Sequence, residues 1–407
     1  MLNVYSKALN KTIQVERHIG KVVGDNSGPT FVIFAGIHGN ETAGVFAVEE
    51  VLKHINPKAV NGTIYAIAGN LKALKAQQRF IDADLNRLWT PQNIDTIKGK
   101  SNLNADEKEL LVLLDILNEI LAAGKPPYYF IDLHTTSSKT LPFITINDAL
   151  INRKFSKHFP VPIVFGIEEY LTGPLLSYVN QLGYVSLGFE SGQHYEADAV
   201  TNSVAFLNLA LVCAGILKKK SIKGFDNFYN LLKEQAENTQ SFLEVIHLHK
   251  IEKDENFKML NGFKSFQSIK KGVPLAVSNG SNIFSERNGV IFMPLYQKQG
   301  AEGFFIIRVI KPFFLRLSAF LRRIRVDGLL VALPGISWLN RKEGTLKVDL
   351  KVTKFYAKAI FHLLGYRSRY TDKTHLRLNN RERVAKTYMY KREEWYKGLR
   401  VTHKQKS

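Results

Sequence analysis

The 407-residue chain is predicted to be an α/β protein, a mixed, mostly parallel sheet covered by helices, with a smaller C-terminal β domain and a basic tail. Three observations carry that expectation. Short apolar runs alternate with helical segments up to about residue 220, briefer β-like runs punctuated by glycine and proline follow over 238–310, and positive charge is concentrated after residue 310.

The first apolar run, Phe31-Val32-Ile33-Phe34-Ala35, reads as a buried strand feeding a helix over 41–54. A strand over 63–68, an amphipathic helix over 106–122 and a buried strand over 128–133 continue the alternation. Strands at 163–165 and 184–189 precede a helix over 196–217. Short apolar strands separated by helices imply a sheet covered on both faces. A polar helix over 225–237 leads to the β-like region, which gives three units: 1–220, 221–310 and 311–407. In the last unit two basic amphipathic helices are expected, at 313–325 and 352–364, before a polar end rich in arginine and lysine.

Charge is distributed unevenly. The net charge is +20, but residues 311–407 hold 24 Lys and Arg against 7 Asp and Glu, a net of +17, which leaves the body nearly neutral. Catalysis and any polyanion contact are therefore expected in separate modules, with the tail meeting protein, nucleic acid or a membrane surface. The single cysteine, Cys213, sits in an apolar helical run and excludes an intramolecular disulfide, so a metal site must be built from His, Glu and Asp. The opening MLNVYSKALNKT lacks an apolar signal region and no apolar stretch is long enough to span a bilayer, so a cytoplasmic protein is expected.

Candidate chemistry lies at strand ends. Gly36-Ile37-His38-Gly39-Asn40-Glu41 follows the first strand, where the loops of an open α/β sheet form a ligand crevice and residues three apart on a helical turn face one way. A His with an acid three residues on is weak evidence alone, since about one such pair is expected by chance. Asp132-Leu133-His134 adds a second histidine at the end of another strand, and two His with one Glu make a catalytic zinc set that leaves a position for water. Asp132 is a candidate to orient a ligand, and His194 a surface or supporting histidine. In the polar cluster Arg79 to Arg87, Arg87 is suited to clamp a carboxylate bidentately with Asn86 beside it, and Arg79 to stabilise a developing negative charge. Glu190, in Phe189-Glu190-Ser191-Gly192, ends an apolar strand where it would take a proton from water and deliver it to a leaving amine.

Four strings, Gly36 to Glu41, Asp84-Leu85-Asn86-Arg87, Asp132-Leu133-His134 and Phe189 to Gly192, resemble in order and spacing the succinylglutamate desuccinylase and aspartoacylase family, which looks like a branch of the zinc carboxypeptidase fold. The likeness spans roughly residues 28–310. It implies one zinc on His38, Glu41 and His134, Glu190 as general base and then acid, Arg79 polarising the carbonyl, and Asn86 and Arg87 on a substrate carboxylate. It also implies a tyrosine from the β domain, for which Tyr296 is the counterpart. The chain departs from the aspartate-specific members in Ser177-Tyr178-Val179-Asn180-Gln181-Leu182, which lacks the arginine that would grip a second carboxylate. The expected activity is zinc-dependent removal of an acyl group from a small N-acyl amino acid or related amide or ester. The alternatives are a carboxypeptidase, or a non-catalytic protein that uses the basic tail to bind an anionic polymer or membrane.

Overall fold

A computed structural model of the chain describes residues 1–353, 358–370 and 375–398. Its centre is an 11-stranded mixed sheet. Across it the strands run Gln267–Ile269, Gly289–Phe292, Glu302–Val309, Phe242–Lys250, Ile163–Phe165, Phe143–Ile146, Val185–Gln193, Tyr128–Thr136, Asn26–Ala35, Asn61–Ala68 and His18–Val23. The block from Val185–Gln193 to Asn61–Ala68 is parallel, and antiparallel pairs occupy both flanks. Every residue of Tyr128–Thr136 is buried, as a strand covered on both faces requires.

Two apolar layers cover the sheet. One packs the helices Ala43–Lys53 and Ala197–Cys213 against Phe31, Ile33, Tyr129, Ile131 and Phe189, and Cys213 is part of this core. The other packs the helix Ala105–Ala123 against Val32, Phe34, Ile67 and Phe130. That long helix begins at Asn104, which accepts from the Glu107 N–H while the Glu107 carboxylate accepts from the Asn104 N–H, so two orphan donors are satisfied at once.

Two expectations are revised. The 238–310 region does not stand as a separate β domain: Phe242–Lys250, Glu302–Val309, Gly289–Phe292 and Gln267–Ile269 prolong the central sheet, and only Phe257–Met259, Pro274–Ser278 and Ser281–Phe284 form a sheet of their own. Pairing of Phe242–Lys250 with Ile163–Phe165 joins the two regions. It links residues far apart in sequence, so local pattern carries no trace of it.

Nor is the basic tail an appendage. Its helix Pro312–Arg323 leads into a four-stranded antiparallel sheet ordered Ile336–Asn340, Thr345–Asp349, His375–Asn380 and Tyr366–Tyr370. Leu330, Leu346, Val348, Phe361 and Leu378 give this unit its own core. Of the helix expected over 352–364, the described part is Lys358–Leu363; residues 354–357 lie outside the described residues. The polar end then returns to the body. Tyr390 and Trp395 are fully buried in the main core, where the Tyr390 hydroxyl donates to the Tyr128 carbonyl over 2.6 Å and the Trp395 indole donates to the Tyr129 hydroxyl over 3.0 Å.

A buried charge cluster fastens the tail to the body. Asp148 receives Arg153 at 2.5 and 2.9 Å, Arg322 at 2.8 Å and Arg367 at 2.7 Å. Burial pushes its carboxyl up, but the charges of Arg153, Arg322 and Arg367 outweigh that and hold it well below the usual carboxylate range. Asp148→Asn would leave these guanidinium groups without their central anion, and is expected to lower the unfolding free energy by about 3–5 kcal/mol in denaturant titrations. Because the folded carboxyl is depressed, its contribution is present above the unfolded value near 4 and is lost as pH falls through the folded value. The parent should therefore lose stability below about pH 4 more steeply than Asp148→Asn.

Candidate metal and hydrolase site

The site forms where the parallel strands end. Ala35 pairs with Leu133 and His134 with Glu190, so the loop after Asn26–Ala35 and the ends of Tyr128–Thr136 and Val185–Gln193 meet at one edge of the sheet. His38 to Thr42 stay in a loop, and the first helix starts only at Ala43. The glycines permit this path. Gly36 has φ +73°, and a Cβ on Gly39 would lie 2.0 Å from the carbonyl carbon of Ala73. The Gly39 N–H donates to the Arg79 carbonyl over 3.2 Å, which ties this loop to the next.

Glu41 is the centre of the arrangement. Its Oε1 lies 2.8 Å from His38 Nδ1 and its Oε2 2.9 Å from His134 Nδ1, while the Thr135 N–H donates to Oε2 over 3.0 Å. All three side chains are buried, and one ligand atom from each lies within 4.8 Å of the others. Burial raises the Glu41 carboxyl, but His38 and His134 outweigh it and hold it well below its ordinary range. For His134, burial is outweighed by Asp132 and Glu41, which raise it well above its ordinary value.

The far nitrogen of each histidine meets another carboxylate: His38 Nε2 lies 3.2 Å from Asp84 Oδ1, and His134 Nε2 lies 2.8 Å from Asp132 Oδ2. Both rings thus present Nδ1 to the centre with an acid behind, the arrangement that fixes the tautomer and orientation of metal-ligating histidines. Two histidines and a glutamate, each buried and oriented, fit a divalent metal of the zinc type.

Asp84 is held in turn by Arg79, whose Nε and Nη2 both lie 3.1 Å from Oδ2. Burial raises the Asp84 carboxyl, but Arg79, Arg87 and His38 bring it well below its ordinary range. The loop carrying these residues is organised by Asp106 on the long helix, which accepts from the N–H groups of Asp82 and Ala83 over 2.6 and 2.8 Å. Sequence reading left Asp84 and Asp106 without roles, since an acid in a polar loop or first helical turn is ordinarily a cap or solvated charge.

A cavity of about 110 Å³ opens beside His38, Glu41 and His134, and its wall also includes Arg79, Asn86, Arg87 and Glu190. Burial pushes the Glu190 carboxyl up to about 8, against the charge of His134, and its Oε2 makes no hydrogen bond among the described residues. Asn86 Oδ1 accepts from the Leu175 N–H over 2.9 Å. Arg87 departs from the free fork expected of it. Its Nε donates to Glu302 Oε1 over 3.0 Å and its Nη1 to the Asn86 carbonyl over 2.8 Å, which leaves Nη2 for a ligand.

Tyr296 is not brought to the cavity. Its hydroxyl donates to the Leu260 carbonyl over 2.7 Å and accepts from the Phe263 N–H, so the ring faces the small sheet. The next residue takes the place: Gln297 Oε1 lies 2.8 Å from Asn40 Nδ2 and 3.0 Å from His194 Nε2. His194 is buried rather than superficial, with Nδ1 2.7 Å from Thr135 Oγ1. Adjacent side chains leave the chain on opposite sides here, and nothing in the sequence indicates which of the two turns inward.

Residues 27–208 match the succinylglutamate desuccinylase/aspartoacylase catalytic domain. A probable aspartoacylase of Acaryochloris marina is 32% identical over 124 residues, 30% of this chain and 40% of that protein. A succinylglutamate desuccinylase of Photorhabdus laumondii is 31% identical over 108 residues, 26% of this chain and 33% of that protein. The chain thus matches less than half the length of these relatives. In fold, a succinylglutamate desuccinylase/aspartoacylase structure from Rhodobacter sphaeroides superposes with a TM-score of 0.54 at 15% identity, covering 76% of this chain and 94% of the other. A product-bound ectoine utilization protein from Ruegeria pomeroyi superposes with a TM-score of 0.52 at 19% identity, covering 70% and 86%. Residues 27–208 are thus similar to the catalytic domain of the succinylglutamate desuccinylase/aspartoacylase family.

Proposed function

We propose that the protein is a metal-dependent deacylase, with zinc as its metal, that hydrolyses a small N-acyl amino acid or related amide or ester. One observation carries the reading: Glu190, a buried carboxylate with an unpartnered oxygen, lines the same narrow cavity as the donors His38, Glu41 and His134. A group so costly to leave unsatisfied is explained by a proton-transfer role.

His38, Glu41 and His134 would hold the metal, which when bound supplies a Lewis acid that polarises the acyl carbonyl and makes water more acidic. Glu190 takes the proton from the attacking water and returns it to the leaving nitrogen. Its upward shift suits both halves of that exchange, because the carboxyl both accepts and retains a proton near neutral pH. Arg79, held against Asp84, places positive charge beside the reacting carbonyl as negative charge develops there. Asn86 and the free Nη2 of Arg87 receive the substrate carboxylate.

The remaining wall narrows the substrate class. Ile146, Ile167, Leu171, Leu176, Met293, Leu295 and Phe305 also line the cavity, together with the polar Thr136, Ser137, Thr145, Asn147 and Ser177. A polypeptide would need a wider cleft, so the shape favours a deacylase over a carboxypeptidase. No further arginine or lysine among the described residues joins Arg79 and Arg87 on this wall, so a second substrate carboxylate would be buried without a cation of its own.

Elemental analysis of protein purified without chelators or a histidine tag should find about one zinc per chain, and little in His134→Ala prepared alike. Metal in neither would sink the assignment. Glu190→Gln is expected to keep the metal but lose about 10²- to 10⁴-fold in kcat, read with the best N-acyl substrate. Among substrates, N-acetyl derivatives of neutral amino acids should exceed N-acetylaspartate and N-succinylglutamate by about tenfold or more in kcat/KM, with no release of C-terminal residues from peptides.

A further inference from the structure

The helix Pro312–Arg323 turns part of its apolar surface outward: Leu315 and Leu321 pack against the cores beneath it, but other large apolar side chains do not. Its buried positions are Ser318 and Arg322, which serve the Asp148 cluster and the Leu363 carbonyl, while Phe313 is 66% exposed, Phe320 58% and the following Ile324 56%. Positions 313, 316/317, 320 and 323/324 fall on one side of a helix, so Phe313, Phe320 and Ile324 share the outward face with Arg316 and Arg323. Leu329, 71% exposed, and Leu333 continue the apolar strip through the next turn, with Arg325 between. An apolar strip of this length is uncommon on a surface meant only for water.

Positive charge accumulates along the edge of the same helix. A groove of about 1170 Å³ beside it is lined by Lys154, Lys157, Arg323, Arg325, Lys342 and Lys391, among others, and the acids on its wall, Asp327 and Glu382, are already paired with Arg383 and Arg322. Burial lowers the Lys157 ammonium, and Arg153, Arg316 and Arg323 lower it further. Burial, Arg323 and Lys157 do the same to Lys154. No acid counters either lysine among the described residues, and the Lys154 ammonium lies 3.8 Å from the Tyr396 ring centroid.

We propose that the helix Pro312–Arg323 and the turn after it form a docking face for an anionic lipid bilayer, with Phe313, Phe320, Ile324, Leu329 and Leu333 entering the headgroup boundary and the neighbouring arginines and lysines meeting lipid phosphates. No helix among the described residues is long and apolar enough to cross a membrane, so the contact is peripheral. Aromatic and aliphatic residues on one face of a basic helix are the pattern of a helix lying in the interface plane. Nucleic acid would satisfy the cations and leave Ile324, Leu329 and Leu333 in water.

The test is vesicle flotation of the full chain with phosphatidylcholine vesicles, with or without phosphatidylglycerol, independent of any hydrolytic assay. The parent should float with the mixed vesicles and not with phosphatidylcholine alone. Phe313→Ser/Phe320→Ser and Arg316→Ser/Arg323→Ser should each reduce partitioning by about tenfold or more, and added salt should weaken the parent. All four side chains are exposed, and matching circular dichroism and melting curves would exclude unfolding. The proposal is overturned if the parent stays unbound on mixed vesicles, binds neutral ones equally well, or is indifferent to loss of the phenylalanines. Tight binding of RNA or of an acidic protein without vesicle binding would overturn it too.

Discussion

Glu41 stands between two imidazoles at 2.8 and 2.9 Å with almost no access to water, and the catalytic edge of the sheet is built around that placement. Concentrating so many titratable groups costs desolvation, which is recovered only where each charge has an oriented partner. The shells around Glu41 supply those partners in sequence. His38 and His134 face Glu41, Asp84 and Asp132 stand behind the histidines, Arg79 pairs with Asp84, and Asp106 holds the loop that carries Arg79 and Asp84. Glu190 stands apart from this order. Its neighbour in the sheet is His134, yet one of its oxygens is left without a partner among the described residues. The oxygens of Asp132 are likewise without a hydrogen bond among the described residues, but Asp132 does not line the cavity, and on the proposed function Glu190 is the group that moves a proton.

The Asp148 cluster shows the same physics put to structural use. There too a buried carboxylate is surrounded by opposite charge, but Arg153, Arg322 and Arg367 saturate both oxygens. The two clusters differ in what is left over. Around Asp148 the arginines also meet further acids, Arg322 with Glu382 and Arg367 with Glu168, and the cluster belongs to the fold, since two of the three arginines come from the C-terminal unit. At the strand ends the excess is a carboxylate that faces a cavity.

The parts of the site legible in sequence are those whose position follows from local rules. His38, Glu41, His134 and Glu190 each end an apolar strand or begin the loop after one, so the alternation of strands and helices directs them to one edge of the sheet. Tyr296 was misplaced because the choice between it and Gln297 depends on which way one residue turns. The continuity of 238–310 with the central sheet depends on pairings between distant segments, which composition does not encode. The basic tail misled for another reason. Arg322 and Arg367 count as surface charge in any composition profile, yet both are buried, because an arginine is hidden readily once a carboxylate waits for its fork.

Arg87 links fold to specificity. Its pairing with Glu302 joins the loop that carries Asn86 to the strand Glu302–Val309, so the strand that extends the sheet also sets the charge of the cavity. A guanidinium held on Nε by Glu302 and on Nη1 by the Asn86 carbonyl cannot meet a substrate as a free bidentate fork; it offers Nη2 in a fixed direction. On the proposed function, one fixed donor beside Asn86 suits a single carboxylate presented in one orientation, and selectivity would follow from how much of one arginine the protein has already used.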